Sequence, residues 1–190
     1  MKIVYLDTNI ILSPIRHIDE NFNHVMKILQ LKHISFITGT ITLVEMASVL
    51  AREKELIHNF FKIEFKKISN QVKELDINRL ISIIIDYLIN LFNIKILDDS
   101  FFEKYSLSRQ EINISSVYNL AISQIQNTEL RTLDQLHFMT AYFNFIVNDI
   151  DITYLVTADI NFLNKSSYLQ KLSKIIVISL ESFANLEFGQ

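Results

Sequence analysis

The chain has 190 residues, 49% of them apolar, with 2 Gly, 1 Pro, no Cys and a formal net charge of −3. That composition suits one domain with a real core and leaves too little Gly and Pro for a long linker or a disordered arm. The missing Cys excludes a disulfide framework, a thiolate metal site and a cysteine nucleophile, and the negative charge counts against a passive polyanion binder.

Met1 and Lys2 lead straight into the apolar stretch Ile3–Leu6, so no secretory leader is expected and the reading is cytoplasmic. Nothing polar interrupts that stretch, which predicts a strand buried on both faces, as in a parallel sheet covered by helices. Asp7, Thr8 and Asn9 follow at once. An acid there sits at the carboxyl edge of the sheet, where open α/β folds bind ligands and metals. Helical spacing covers Phe22–Leu31, a second strand Ile34–Ile37, and a further helix Leu43–Leu56.

Residues 55–93 are extra length and read as a helical elaboration of one or two helices. Its segment Leu80–Phe92, LISIIIDYLINLF, is interrupted by Asp86 and Asn90 and is too short to span a bilayer. It reads as a buried helix or the interface of a homodimer, because an all-apolar helix must be covered on more than one side. Strand character returns at Ile94–Leu97, Thr153–Val156 and Ile175–Ile178, with helices at Ser115–Gln126, Leu133–Val147 and Glu181–Glu187. Strands alternating with helices predict βαβ units. The expected fold is α/β: a three-layer α/β/α sandwich around a five-stranded parallel sheet, with residues 1–190 as a single domain.

Four acids stand out. Asp7 and Asp159 end predicted strands, while Glu45 and Asp134 lie in the first turns of predicted helices. Each has a purely structural reading. Thr42-x-x-Glu45 and Thr132-x-x-Gln135 match capping boxes, Asp134 suits a helix dipole, and Asp7 and Asp159 suit caps or Asx turns. Taken together, all four belong on the carboxyl side of the sheet. If the first and fourth strands are neighbours where strand order reverses, Asp7 and Asp159 face one crevice. Carboxylates with no Cys and no His cluster make an all-oxygen site suited to Mg²⁺ or Mn²⁺. Such ions activate water and clamp a phosphodiester, so no nucleophilic side chain is needed.

At these residues the chain resembles the PIN-domain family of metal-dependent ribonucleases. The matching pieces are YLDTNII at Tyr5–Ile11, TLVEMASVL at Thr42–Leu50, LDQLHFMTAY at Leu133–Tyr142 and LVTADINFL at Leu155–Leu163. The resemblance implies a PIN-like sheet between helices, catalytic and metal-holding acids at Asp7, Glu45, Asp134 and Asp159, Mg²⁺ or Mn²⁺ dependence, and RNA as substrate. Many members are toxins of toxin–antitoxin pairs, neutralised by a small partner protein and often dimeric. Two departures stand out. Asn161 occupies a position where many relatives carry another acid, and the chain is longer at residues 55–93 and 100–113.

Thr8, Asn9 and Thr157 are candidates to orient Asp7 or substrate, and Asn161 is a fourth supporting residue, able to hydrogen-bond or ligate a metal without adding charge. His137, one turn after Asp134, reads as a packed core histidine ahead of a residue that reaches an acid. Arg52, Lys54, Lys62, Lys66 and Lys67 form a loose basic series that could line an RNA path, although Glu53, Glu55 and Glu64 interleave with it. Two other readings stay open. One is a non-catalytic domain that binds RNA or a protein. The other is a haloacid-dehalogenase-like phosphatase, for which Asn9 stands where the second Asp would be.

Overall fold

The computed structural model describes residues 1–16, 21–64 and 76–189. Five strands form one parallel sheet: β1 (Lys2–Leu6), β2 (Ile34–Gly39), β3 (Lys95–Leu97), β6 (Ile152–Thr157) and β7 (Ile176–Ser179). Their order is β3-β2-β1-β6-β7. The order runs outward from β1 to β3 and then resumes on the other side of β1. The switch point therefore lies between β1 and β6, as the acid pattern requires.

Alternation on β1 explains the layers. Val4 and Leu6 point into one core, shared with Phe36 and Val156. Tyr5 points into the other, shared with Ile37 and Leu155. All three β1 residues are fully buried, because period-2 side chains meet helices on both faces. The first core is covered by α1 (Thr8–Arg16), α2 (Phe22–Ile28), α3 (Thr40–Arg52), α4 (Lys54–Glu64), α5 (Ile77–Phe92) and α10 (Leu180–Phe188). The second is covered by α6 (Ser116–Thr128), α7 (Thr132–Ile146), α8 (Ile160–Asn164) and α9 (Ser166–Ser173). Among the described residues no helix is long and apolar enough to cross a membrane.

Three differences from the sequence reading have physical causes. The helix expected at Leu43–Leu56 is two helices, broken at Glu53, whose ψ of 59° leaves the helical region. Residues 100–113 hold most of an antiparallel hairpin, β4 (Phe102–Ser106) with β5 (Glu111–Ser115). Its side chains are mostly exposed, so it carries little of the apolar alternation that marks a half-buried strand. Finally, α5 is covered within the chain. Leu80, Ile84, Leu88 and Phe92 are buried in the first core, where the helix packs on α1, α3 and α4, while Ser82, Asp86 and Asn90 form its exposed stripe. No second copy is needed to bury it.

One close approach ties the two layers together. Gly39 ends β2 and caps α3 in an extended conformation that any residue can adopt. Its need for no side chain is therefore a matter of space. A Cβ there would meet Thr140 Cγ2 at 2.7 Å and the Tyr5 hydroxyl at 3.1 Å. Gly39→Ala is expected to lower stability by about 1–3 kcal/mol through overpacking. Adding Thr140→Ser, which removes the nearest methyl, should recover part of that stability in urea denaturation.

Candidate functional site

The site begins where β1 ends. Asp7 continues the sheet by donating its N–H to the Val156 carbonyl at 3.1 Å, and its own carbonyl accepts the Ile10 and Ile11 N–H groups that open α1. Its carboxylate is buried and heavily bonded. Oδ1 accepts the Thr8 N–H at 2.7 Å, and Oδ2 accepts the Thr157 hydroxyl at 2.6 Å and the Asn9 amide at 3.0 Å. The other end of the Asn9 amide accepts the Ala158 N–H at 3.1 Å, so Asn9 clips the end of β1 to the end of β6. Thr157 also accepts the Asp159 N–H at 3.0 Å. Three of the four supporting residues named from sequence, Thr8, Asn9 and Thr157, thus each act directly on Asp7.

Glu45 stands in the second turn of α3, not the first, because the helix starts at Thr40. The capping box is not made. Thr42 instead pairs its hydroxyl with Thr38 at 2.6 Å, and Thr38 donates to the Leu6 carbonyl at 2.8 Å. Glu45 is free to turn inward, where its Oε2 accepts the Thr8 hydroxyl and the His137 ring at 2.9 Å. Asp134 does lie in the first turn of α7, but the Thr132–Gln135 box is also absent. Gln135 is buried and bonds Thr128 and the Ala121 carbonyl. Asp159 caps α8, its Oδ1 accepting the N–H groups of Asn161 at 2.7 Å and Phe162 at 3.2 Å. The structural reading of Asp159 is therefore correct without excluding a second role, since one oxygen suffices for the cap.

All four acids line one cleft of about 100 Å³, with Thr8, Asn9, Leu12, Arg16 and Val49 completing the wall. A neighbouring hollow of about 270 Å³ shares Asp134 and adds Arg131, Asn161, Asn164 and Lys165. Asn161 therefore lies beside the acid cleft and does not line it. A hollow of about 400 Å³ at the opposite edge of the sheet, near Phe36 and Leu91, gathers no acids.

His137 is the residue that sequence reasoning underweighted. It is buried, as expected of a core histidine, yet it also reaches the acids. Nε2 lies 2.9 Å from Glu45 Oε2, 3.5 Å from Asp7 Oδ1 and 3.4 Å from the Thr8 hydroxyl, and Nδ1 lies 3.1 Å from the Tyr5 hydroxyl. The i, i+3 spacing from Asp134 held the signal. Tyr5, Arg16, Arg131 and Lys165 were not singled out at all. Of the basic series, Arg52 acts electrostatically on Glu45, whereas Lys54 and Lys62 line neither the cleft nor the hollow. Lys66 and Lys67 lie outside the described residues.

Charge crowding shows in the proton affinities. Burial pushes Asp7 up, against the nearby His137 and the Thr157 bond. Burial also pushes Asp134 up, with the charges of Asp159 and Asp7 adding, to about 6. For Glu45, burial is more than offset by hydrogen bonds from His137 and Thr8, so its affinity falls. His137 moves up: burial opposes its charge, but Tyr5, Asp7 and Glu45 all favour it.

The residues fit a divalent cation. Asp134 Oδ2 is buried with no hydrogen-bond partner among the described residues, an arrangement that is costly unless a donor or a cation meets it. Ligand atoms of Asp7, Glu45 and His137 lie within 4.8 Å of one another. The oxygen-rich set suits Mg²⁺ or Mn²⁺. Because the folded state raises Asp134, that group stabilises the fold below about pH 4 and the contribution is lost as pH rises through about 6. In chelator at pH 8, Asp134→Asn is therefore expected to melt at a higher temperature than the unsubstituted protein. The gap should close toward pH 4, and saturating Mn²⁺ should reverse it. Scanning calorimetry across pH checks this.

No family model and no curated protein matches the chain. In structure it is similar to VapBC2 from Rickettsia felis, a crystal structure bound to a DNA fragment from their promoter. The TM-score is 0.51 over 93% of this chain and 98% of that one, at 15% identity. VapBC-1 from nontypeable Haemophilus influenzae aligns over 94% of this chain and 98% of that chain, with a TM-score of 0.48 and 12% identity. With its five-stranded parallel sheet and helices on both faces, the chain has the PIN-like fold that its four motifs implied.

Proposed function

We propose that the protein is a metal-dependent endoribonuclease. The observation that carries this reading is the gathering of Asp7, Glu45, Asp134 and Asp159 in one cleft at the switch point, with a carboxylate oxygen left without a donor. A bound Mg²⁺ or Mn²⁺ would supply activation of a water and neutralisation of the scissile phosphate. Asp7, Glu45, Asp134 and Asp159 would hold the ion. Thr8, Asn9 and Thr157 keep Asp7 in one orientation, so little rearrangement is required of it when the ion binds.

Substrate contacts would extend from the cleft into the adjoining hollow. Arg16 lines the cleft, Arg52 lies within electrostatic reach of Glu45, and Arg131 and Lys165 line the adjoining hollow. An RNA strand lying over the cleft and the hollow would meet these cations, of which Arg16 is ion-paired with Glu53 and Lys165 with Glu129, and such cations position phosphates. The likeness to a VapBC2 structure, with the motif resemblance, supports an antitoxin-like protein partner, a homodimer and a role in a toxin–antitoxin pair. A cytoplasmic location accords with the absence of Cys.

Purified protein is expected to cleave single-stranded RNA with Mn²⁺ or Mg²⁺ and to stop on chelation. Asp7→Asn or Asp159→Asn should lower cleavage by roughly 100-fold or more, the scale of removing one charge contact from a transition state. Cleavage that survives Asp7→Asn in protein free of host nucleases sinks the reading. Binding to RNA in the absence of turnover tests the path. Arg131→Glu should flatten the dependence of log affinity on log salt by about 0.7 for each phosphate no longer neutralised, while Lys62→Glu should leave it unchanged.

A further inference from the structure

The hollow beside the acid cleft is walled by two pieces, each fixed by its own contacts. One is the connection Glu129–Arg131 between α6 and α7. Leu130 is buried beneath it, and the Arg131 carbonyl accepts the Gln135 N–H at 2.8 Å. Gln135 in turn bonds Thr128 and the Ala121 carbonyl. The other wall is α8, which Asp159 caps and the fully buried Phe162 anchors. Asn161 and Asn164, at i and i+3 on α8, line the hollow from that side. The Lys165 ammonium joins the walls by pairing with the Glu129 carboxylate. Asp134 lines both the hollow and the acid cleft, so a group held in one lies next to a group held in the other.

The polar groups of the hollow form a pattern that a nucleobase can complete. Among the described residues, neither the Asn161 nor the Asn164 side-chain amide meets a hydrogen-bond partner in the protein. Glu129 engages Lys165 through Oε2, which leaves Oε1 for a ligand. A carboxylate only accepts, an ammonium only donates, and an amide does both. Held together by their pairing, Glu129 and Lys165 present an acceptor beside a donor. Guanine is the complement. Its N1–H and N2–H₂ suit the carboxylate, its O6 suits the ammonium, and its N7 is left for an amide N–H of Asn161 or Asn164. Adenine inverts the first two contacts, setting N6–H₂ against a donor and the N1 lone pair against an acceptor, and cytosine does the same with N4–H₂ and N3. Like groups brought face to face are what reject a wrong ligand. Uracil keeps the O4 and N3–H pair but has no counterpart of N7. The volume, about 270 Å³, is close to the lower end of small-ligand sites and suits a single base.

We propose that this hollow is a guanine-reading subsite for single-stranded RNA, in which the Glu129–Lys165 pair and the amides of Asn161 and Asn164 select a base adjoining the scissile phosphate. The inference rests on the nuclease reading and names its substrate preference. The strand must be unpaired there, because the edge of guanine that meets Glu129 and Lys165 is the one used in base pairing. Arg131, exposed at the same hollow, is left to the phosphate. These side chains determine specificity and do not touch the reacting atoms.

Cleavage sites of the Mn²⁺-loaded protein, mapped on an unpaired RNA that contains all four bases, test the assignment. They are expected to fall beside guanine about 10-fold or more over adenine and cytosine, the scale of a matched against a mismatched base contact, with uracil between. Replacing guanine by 7-deazaguanine, which lacks N7, should lower kcat/KM for the unsubstituted protein. The double variant Asn161→Ala with Asn164→Ala should no longer distinguish the two bases. Glu129→Lys combined with Lys165→Glu keeps an ion pair but exchanges donor for acceptor. It should move the preference toward adenine and cytosine, a change that a purely structural role for the pair does not produce. Equal cleavage beside all four bases, or a guanine preference untouched by the reversed pair, overturns the assignment. Magnetic resonance titration in chelator reads the same preference without turnover. Guanosine monophosphate should shift the Asn161 and Asn164 signals at about 10-fold lower concentration than adenosine monophosphate, and equal response to both also overturns it. Protein that prefers the guanosine nucleotide yet cleaves no RNA removes the nuclease reading and keeps the subsite, whereas cleavage without base preference does the reverse.

Discussion

The structure depends on a buried carboxylate at the end of a buried strand. Asp7 follows three fully buried residues at the centre of the sheet and is itself almost without solvent. An ionised carboxylate in such a place is unfavourable unless donors surround it. Four neighbours answer that need: the backbone of Thr8, the amide of Asn9, the hydroxyl of Thr157 and, at longer range, His137. They come from α1, β6 and α7 and meet an acid at the end of β1, so satisfying one side chain fixes how four elements meet.

The same requirement couples the site to both cores. Tyr5 faces the second core and sends its hydroxyl to Gly39 and His137. Glu45, on a helix of the first core, meets that histidine over the sheet edge. The absent side chain at Gly39 lets α7 and β2 approach closely enough for this contact. Packing and chemistry are therefore not separable here. A change of volume at Thr140 or Gly39 acts on the carboxylate cluster through Tyr5.

Crowding of like charge sets the proton affinities in the cleft. Burial and neighbouring acids hold Asp134 up at about 6, and one of its oxygens meets no donor among the described residues. Glu45 goes the other way because His137 and Thr8 satisfy it. Two acids a few residues from helix starts thus end in opposite electrostatic states. Their difference lies in the partners folding brings to them, not in the residue type.

Much of the architecture was legible in the chain. Ile3–Leu6 announced a doubly buried strand, and alternation of such stretches with helical spacing announced a parallel sheet, because period and burial are local properties. The four acids could be assigned to one sheet edge for the same reason. The hairpin at 102–115 was not legible, since exposed strands carry no apolar alternation. Neither were the true neighbours of Thr42 and Gln135, whose capping-box spacing is only a local signal and gave way to tertiary partners. By itself, then, the sequence determined the fold class and which carboxylates share an edge. Only the tertiary structure decided that they share a cleft, that His137 and Tyr5 join them, and that Asp134 is left with an oxygen no donor meets. Those facts rest on distances between residues far apart in the chain, which no local pattern records.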